Sequence, residues 1–312
     1  MTAKAGEESR EHLARLSSPD PAVRLKACAH LLKIWLDTRE HVPPAVVEAL
    51  YRMLHDRDAS VRGVVQRWLI ERPEIVLTMT VEEKNHSAVT VSRAILKATD
   101  AASIRALTEI VGGLSQSAAC QVLENAIDGT DIAAVANAAF ALGRMAGYCG
   151  ATGDAMRHHH PVVRAAALMG VGDGESVKVE REDDFIAELF RCLEDTGPLA
   201  DVVRAKAASL IAPFRVVRAI RALVRAYFNG DPATRHNVRH ALLVGGADFA
   251  DGLAAAGATD ERARALVAEV RHLSAVAASP ASSDETHESQ SPWFPLPVAW
   301  LSRSELEARG LL

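Results

Sequence analysis

The sequence has few aromatic residues: they make up 4% of its 312 residues, although 49% are hydrophobic. Its apolar content therefore consists mostly of alanine, leucine and valine. A β-sheet protein is expected to use more β-branched and aromatic side chains, whereas alanine and leucine favour helices. The scarcity of aromatic residues thus argues against a sheet fold and for closely packed helices.

The sequence also lacks paired cysteines and long apolar runs. Its four cysteines lie far apart with no CxxC pair, so we interpret them as free thiols in a reducing compartment. No apolar run reaches the ~18 residues of a membrane-spanning helix, and residues 1–15 do not have the pattern of a secretory signal. These absences predict a cytoplasmic protein that has no membrane partner.

Neither sign of charge dominates. The 35 basic and 40 acidic residues are interspersed, and the formal net charge is −5. Because nucleic-acid binding depends largely on neutralising phosphates, a mildly acidic chain without a basic arm makes nucleic acid an unlikely partner.

A short Val-Arg motif recurs along the chain. Asp20-Pro-Ala-Val-Arg24 is followed by Asp58-Ala-Ser-Val-Arg62, and looser copies continue to residue 239. Successive Val or Ile positions are 28 to 43 residues apart, a spacing that brackets the period of helix-pair repeats. These positions are Val23, Val61, Ile104, Val135, Val163, Val203 and Val238, of which the copy at Val135 has no arginine.

The motif is typical of the start of the second helix in each pair. Its aspartate can cap the helix, and Pro21 at the first helical position gives up an N–H that has no partner. The arginine can pair with this aspartate or with its counterpart in the neighbouring repeat, and substitutions at Asp58 and Arg62 are expected to be non-additive. We predict a structural ladder of Asp20, Arg24, Asp58, Arg62, Arg105, Arg164, Arg204 and Arg239.

On these residues the sequence resembles the HEAT-repeat, or armadillo-like, family, in which an Asp and an Arg of the second helix form a ladder between units. The resemblance spans about residues 10–275. It implies an all-α fold, a right-handed α-solenoid of about six to seven helix pairs, which we place at residues 1–273.

Other segments complete the predicted organisation. First helices are expected at Pro43–His55, Ser115–Asp128 and Asp183–Leu193. Residues 145–160 and 170–182 are expected to be long loops, because the first is rich in glycine and the second is polar, and the stack is expected to bend or break near 145–182.

The C-terminal region has a different composition. Residues 274–291 are rich in serine, alanine and acidic residues and predict a disordered linker. Residues 292–312 form a segment rich in proline and aromatic residues, followed by a short helix. Its Trp293, Phe294 and Trp300 either dock on the chain's own repeats or bind a partner.

Two further groups are candidates for binding. Arg215, Arg218, Arg221 and Arg225 would share one helix face, which is either solvated or in contact with a partner. His158, His159 and His160 are adjacent, so on a regular helix they cannot all face one ion, and we predict no metal site.

No catalytic residues are predicted. The sequence has no phosphate-binding loop, no Gly-x-Ser-x-Gly elbow and no His-Glu-x-x-His helix. Deoxyhypusine hydroxylases, which are di-iron enzymes of the HEAT-like architecture, carry paired His-Glu dipeptides. Here the sole His-Glu is His287-Glu288, inside the predicted linker.

The sequence therefore favours a non-enzymatic scaffold or adaptor that uses no cofactor and binds a protein or peptide partner on the concave face of the solenoid. This interpretation depends chiefly on the architecture. The alternative is an enzyme or substrate chaperone of the bilin-lyase type, whose sites have no portable sequence signature. A nucleic-acid binder is the third possibility.

Overall fold

The computed structural model describes residues 3–38, 44–71, 79–173, 181–196, 199–211, 214, 219–232, 234–239, 241–242 and scattered positions from 261 to 272. Thirteen α-helices with defined bounds lie in these residues: α1 Ala3–Arg15, α2 Pro21–Thr38, α3 Pro44–Met53, α4 Ala59–Glu71, α5 Val81–Lys97, α6 Ala101–Gly113, α7 Gln116–Ile127, α8 Ile132–Ala146, α9 Gly150–Arg157, α10 Pro161–Asp173, α11 Glu182–Leu193, α12 Ala200–Ile211 and α13 Ala219–Asn229. The predicted all-α, helical-repeat fold class is confirmed.

Consecutive helices pack as pairs, and equivalent helices of successive pairs pack on one another. The second helices α2, α4 and α6 form one layer, and the first helices α1, α3, α5 and α7 form the other. The same pattern holds for α10 with α12, and for α9, α11 and α13. The Val-Arg motif opens second helices, as predicted, because it lies at the start of α2, α4, α6, α10 and α12.

Short polar side chains explain where several of these helices begin. Asp20, Asp58, Asp100 and Asp131 each accept hydrogen bonds from backbone N–H groups of the helix that follows. Thr80 forms a capping box with Glu83 at the start of α5, which the sequence analysis had not identified. Such caps satisfy N–H groups that have no partner inside the helix.

Small residues allow the second helices to be buried. In α8 and α10, residues 135–143 and 162–171 are buried without interruption, and Ala138, Ala139, Ala166 and Ala167 are fully inaccessible to solvent. Side chains of this size let neighbouring helices approach closely.

The chain divides between Met145 and Ala146 into two compact units, with α1 to α8 in the first and α9 to α13 in the second. Within the first unit α1 packs against α2, α3 against α4 and α5 against α6, and within the second unit α9 packs against α10 and α11 against α12.

All three expected first helices are found, but the two expected loops need correction. Helices α3, α7 and α11 match the predicted first helices to within two residues at each end. The expected loop at 145–160 is wrong, because residues 150–157 form α9, with Thr152 and Met156 buried against the core. Likewise, α10 continues to Asp173, beyond the expected start of the second loop at Gly170.

The cysteines form no disulfides. All four are free thiols, and Cys28 and Cys192 are buried. Among the helices in the described ranges, none has the length and apolar character needed to cross a membrane. The predicted linker at 274–291 and the segment at 292–312 lie outside the described residues.

Candidate functional site: a cleft at a break in the arginine ladder

The first ion pair of the ladder connects α2 to the loop after α3. The Nε and Nη2 atoms of Arg24 donate to the two carboxylate oxygens of Asp56, both at 2.7 Å. The Nη1 atom of Arg24 donates to the carbonyl oxygens of Ser18 and Pro19. Both side chains of the pair are 5% exposed. Arg24 therefore ties its own interhelical loop to that of the next repeat.

The same arrangement recurs in the second unit. Arg164 on α10 pairs with Asp195 after α11, at 2.7 Å, and its Nη1 donates to the carbonyls of His158 and His159. Arg204 on α12 donates to the carbonyl of Asp195 at 2.7 Å and pairs with Asp231 at 3.3 Å. The carboxylate of each aspartate thus pairs with one arginine, and the backbone carbonyl of Asp195 also accepts a hydrogen bond from the next arginine, Arg204.

The carboxylates of these ion pairs are not those considered in the sequence analysis. Asp20 and Asp58 cap α2 and α4, whereas Asp56, Asp195 and Asp231 in the loops after first helices hold the arginines. A signal was available in the sequence, because each is an acidic residue two or three positions beyond a first helix.

Two other arginines of the predicted ladder lie in different surroundings. Arg239 pairs with Glu269 at 2.7 Å, and both side chains are partly exposed. Arg105 is exposed on α6. Neither of these two arginines forms a buried ion pair of the kind that Arg24 makes.

Arg62 differs from Arg24 and Arg164. Its Nη1 donates to the carbonyl of Asp56 at 2.8 Å. Within the residues that the structure describes, no carboxylate lies in ion-pair distance of its guanidinium. The loop after α5 contains Asp100, but this side chain caps α6 by accepting from the N–H of Ser103 at 2.8 Å. The guanidinium of Arg62 instead borders an open cleft.

This cleft, which we call the Arg62 cleft, has a volume of about 220 Å³ and lies within the first unit. Its walls come from the loop after α3, the first turns of α4, the end of α5 with the loop that follows it, and the start of α6. The lining residues are Leu54, His55, Asp56, Arg62, Gln66, Ala94, Lys97, Ala98, Thr99, Asp100, Ser103 and Leu107.

Gln66 lies one turn after Arg62 on α4 and lines the same cleft. Its side chain is buried, with 8% of the residue exposed, and its Nε2 has no hydrogen-bond partner. An unsatisfied buried donor of this kind costs about 1–3 kcal/mol. A hydrogen-bond acceptor bound in the cleft would remove that cost.

Asn137 holds the loop that forms one wall of the cleft. It lies on α8, is 3% exposed, and donates through Nδ2 to the carbonyls of Ile95 at 2.9 Å and Ala98 at 3.0 Å. Asn137 thus occupies the repeat whose motif has no arginine. It makes a neutral contact between repeats and fixes the backbone just before Thr99 and Asp100.

Two of the titratable groups that line the cleft have shifted pKa values. Burial acts to raise the pKa of Asp56, but hydrogen bonds from Arg24 and from the N–H of Asp58 outweigh it and hold that pKa below its usual value. Burial lowers the pKa of His55, whose Nε2 lies 3.1 Å from the carbonyl of Thr90. Asp56 is therefore an anion paired with Arg24, and His55 is neutral at pH 7.

The remaining predicted binding residues do not contribute to this cleft. Arg225 pairs with Glu194 at 2.8 Å on the surface of the second unit. Arg215 and Arg218, the side chain of Arg221, and Trp293, Phe294 and Trp300 lie outside the described residues. In the part of the chain that the structure describes, no three His, Cys, Asp or Glu side chains are grouped so that they could hold a metal ion.

Comparisons with known proteins show a likeness to a solved structure. No protein-family model and no curated protein sequence matches this chain. It is similar to the structure of human deoxyhypusine hydroxylase in complex with glycerol, with 13% identity over 88% of this chain and 96% of that chain, and a TM-score of 0.29. The likeness at this level concerns the helical fold.

The comparison corrects the function expected from the sequence. The matched structure is that of an enzyme, which contradicts the expectation of a non-enzymatic scaffold that binds a protein or peptide on its concave face. We do not retain that expectation.

Proposed function

We propose that the protein binds a small polar molecule in the Arg62 cleft. The observation that carries this proposal is the buried side-chain amide of Gln66, whose Nε2 has no partner and which lines the cleft beside Arg62. A ligand that accepts a hydrogen bond from Gln66 would satisfy this donor. It would also give the guanidinium of Arg62 a partner in a partly enclosed space.

The walls of the cleft support binding because their positions are fixed by contacts outside it. Asp56 is held by Arg24, and the backbone at Ala98 is held by Asn137. Binding sites for small molecules are usually concave and largely formed before the ligand arrives, with a few polar groups that fix its orientation. A volume of about 220 Å³ suits a small metabolite.

The second candidate function is an enzyme that acts on the molecule bound in this cleft. It is favoured by His55, which borders the cleft and is neutral at pH 7 because burial lowers its pKa. A neutral imidazole can accept a proton from a bound substrate. In that case His55→Gln would abolish turnover while binding of the substrate persists.

Binding can be tested by ligand-observed NMR of the purified full-length protein. The probes are mixtures of sugars, nucleosides, amines and organic acids. We expect at least one class to bind the wild-type protein and to lose affinity by about tenfold or more in Gln66→Leu, which removes one hydrogen bond to the ligand. Gln66→Leu should itself fold well, because it replaces an unsatisfied amide by an apolar group of similar size.

Gln116→Leu is the matched control. Gln116 also carries a side-chain amide in the first unit, but its Nε2 donates to the carbonyl of Met145 and it does not line the cleft. Its substitution should leave ligand binding unchanged. The proposal fails if no probe binds, or if both substitutions reduce binding equally.

A further inference from the structure

Three arginines of the ladder have the same kind of partner. Arg24, Arg164 and Arg204 each reach a carboxylate in the loop that follows the next first helix. Asp195 and Asp231 are the second residues after α11 and α13. These pairs define where an acidic group is expected next to a ladder arginine.

Thr99 and Asp100 follow α5 at the corresponding places. Thr99 is the second residue after Lys97, as Asp195 and Asp231 are after their helices, and Asp100 is the third, as Asp56 is after α3. Both line the Arg62 cleft. Threonine carries no charge, and the next residue, Asp100, is engaged as the cap of α6. The ladder thus has its arginine at this position, while the loop opposite provides no carboxylate that contacts it.

We propose that the ligand of the Arg62 cleft is a small organic acid whose carboxylate takes the place that aspartate holds elsewhere in the ladder. This inference rests on the proposed function and names the chemical class of the ligand. A guanidinium presents two parallel N–H donors that match the two oxygens of a carboxylate. Arg24 and Asp56 display this geometry in the preceding repeat, at 2.7 Å for both bonds.

Charge and size also favour a single carboxylate. Arg62 and Lys97 contribute positive charge to the cleft, against Asp100, since Asp56 is already paired with Arg24. A doubly charged phosphate would lie between Asp56 and Asp100 at a greater electrostatic cost. A water molecule takes about 30 Å³ in the liquid, so a cleft of about 220 Å³ has room for an acid group and a short carbon chain.

The test compares acids with their amides. Propionate and butyrate, propionamide and butyramide, and inorganic phosphate are titrated into the full-length protein, with ligand-observed NMR and thermal unfolding as readouts. We expect the acids to bind about tenfold or more tightly than the amides and than phosphate. Arg62→Lys should weaken acid binding by a similar factor, because it keeps the charge and loses the paired donors.

Thr99→Asp is the decisive variant, because it supplies the missing carboxylate within the chain. We expect it to raise the midpoint of thermal unfolding and to abolish binding of the acids. Thr99→Asn, which has a similar size and no charge, should bind the acids about tenfold or more tightly than Thr99→Asp does, so that the loss in Thr99→Asp follows the added charge.

Each failure has a distinct meaning. Acid binding that persists in Thr99→Asp, or phosphate or amides that bind as tightly as the acids, would overturn the assignment of an organic acid. If another class of probe binds and depends on Gln66, the proposed function stands and this inference falls. If nothing binds in a manner that depends on Gln66, both fall.

Discussion

Arg62 in the first unit and Arg164 in the second occupy the same position, four residues after the N-cap of a second helix, yet their surroundings differ. Arg164 has its carboxylate partner in Asp195, and both side chains are nearly buried. Arg62 donates to one backbone carbonyl and borders an open cleft. The same repeated residue is thus held in a buried ion pair in one place and borders an open cleft in the other, depending on a loop some 30 or more residues away.

The difference arises in the loops after the first helices. Asp195 follows α11 closely enough to meet Arg164. In the loop after α5 the second residue is the uncharged Thr99, and the third, Asp100, accepts from the N–H of Ser103 in α6. Capping alone does not decide this difference, because Asp231 accepts from the N–H of Thr234 and also pairs with Arg204.

The largest expected effect on the free energy of unfolding is that of Arg164→Ala, compared with Arg62→Ala. Arg164→Ala leaves the carboxylate of Asp195 buried without its cation and should cost about 3–5 kcal/mol in the free energy of unfolding. Arg62→Ala loses one hydrogen bond to a carbonyl and should cost about 1 kcal/mol. Urea denaturation of both variants measures the difference. Equal losses would show that the two arginines have the same role.

Asn137→Ala tests whether the wall of the Arg62 cleft is positioned from the neighbouring repeat. The substitution leaves the carbonyls of Ile95 and Ala98 without their donor and should cost about 1–3 kcal/mol. It should also weaken ligand binding, because the loop before Thr99 loses its support. Normal binding in a folded Asn137→Ala protein would indicate that the loop positions itself.

The pH dependence of stability distinguishes the aspartate facing Arg24 from an ordinary surface carboxylate. Burial acts to raise the pKa of Asp56, but hydrogen bonds from Arg24 and Asp58 lower it below the usual 3.8. The folded state therefore binds this proton more weakly than the unfolded chain does. The contribution of Asp56 is fully present above pH 3.8 and is lost as the pH falls through its pKa in the folded protein.

Urea denaturation at steps of pH from about 5 to about 2 measures this contribution. The wild type should lose up to about 1.4 kcal/mol per pH unit more than Asp56→Asn over the acidic part of this range. Identical slopes for the two proteins would mean that the ion pair with Arg24 does not form in solution.

Substitution at Asp58 tests the division between capping and ion pairing. Asp58 caps α4 through the N–H of Ser60, and Arg62 contacts Asp56, so the two side chains have separate partners. Asp58→Ala should cost about 0.5–2 kcal/mol. Combined with Arg62→Ala, the effects should add to within about 0.5 kcal/mol. The structure therefore predicts additive effects, whereas the sequence led us to expect non-additive ones. Strong coupling in the double variant would support the expectation from the sequence.

The smallest effect is expected for Arg225 and Glu194, whose side chains are 64% and 58% exposed. Arg225→Ala should change the free energy of unfolding by less than about 1 kcal/mol, because an exposed pair is screened by water and salt. Measurement at low and high salt provides the control. A loss as large as that of Arg164→Ala would contradict the link between burial and the strength of these pairs.

Local patterns in the sequence predicted much of the fold. Helix formation depends largely on residues that lie close together in the sequence, here the Val-Arg motif, the capping aspartates, and alanine and leucine. The recurrence of the motif then indicates helix pairs. They identified the second helices and, to within two residues, α3, α7 and α11. Glycine content misled the prediction at residues 150–157, where burial of Thr152 and Met156 accompanies a helix that local composition disfavours.

That this chain is built of paired helices follows from its local sequence patterns, because each helix is specified by its own periodicity and caps. The contacts that each ladder arginine makes depend instead on how the helices pack. Arg24 and Asp56 meet across 32 residues, and the cleft at Arg62 depends on the loop after α5 and on Asn137 from α8. Contacts between repeats join residues that lie far apart in the sequence, so which acidic residue meets which arginine is decided only when the helices have packed.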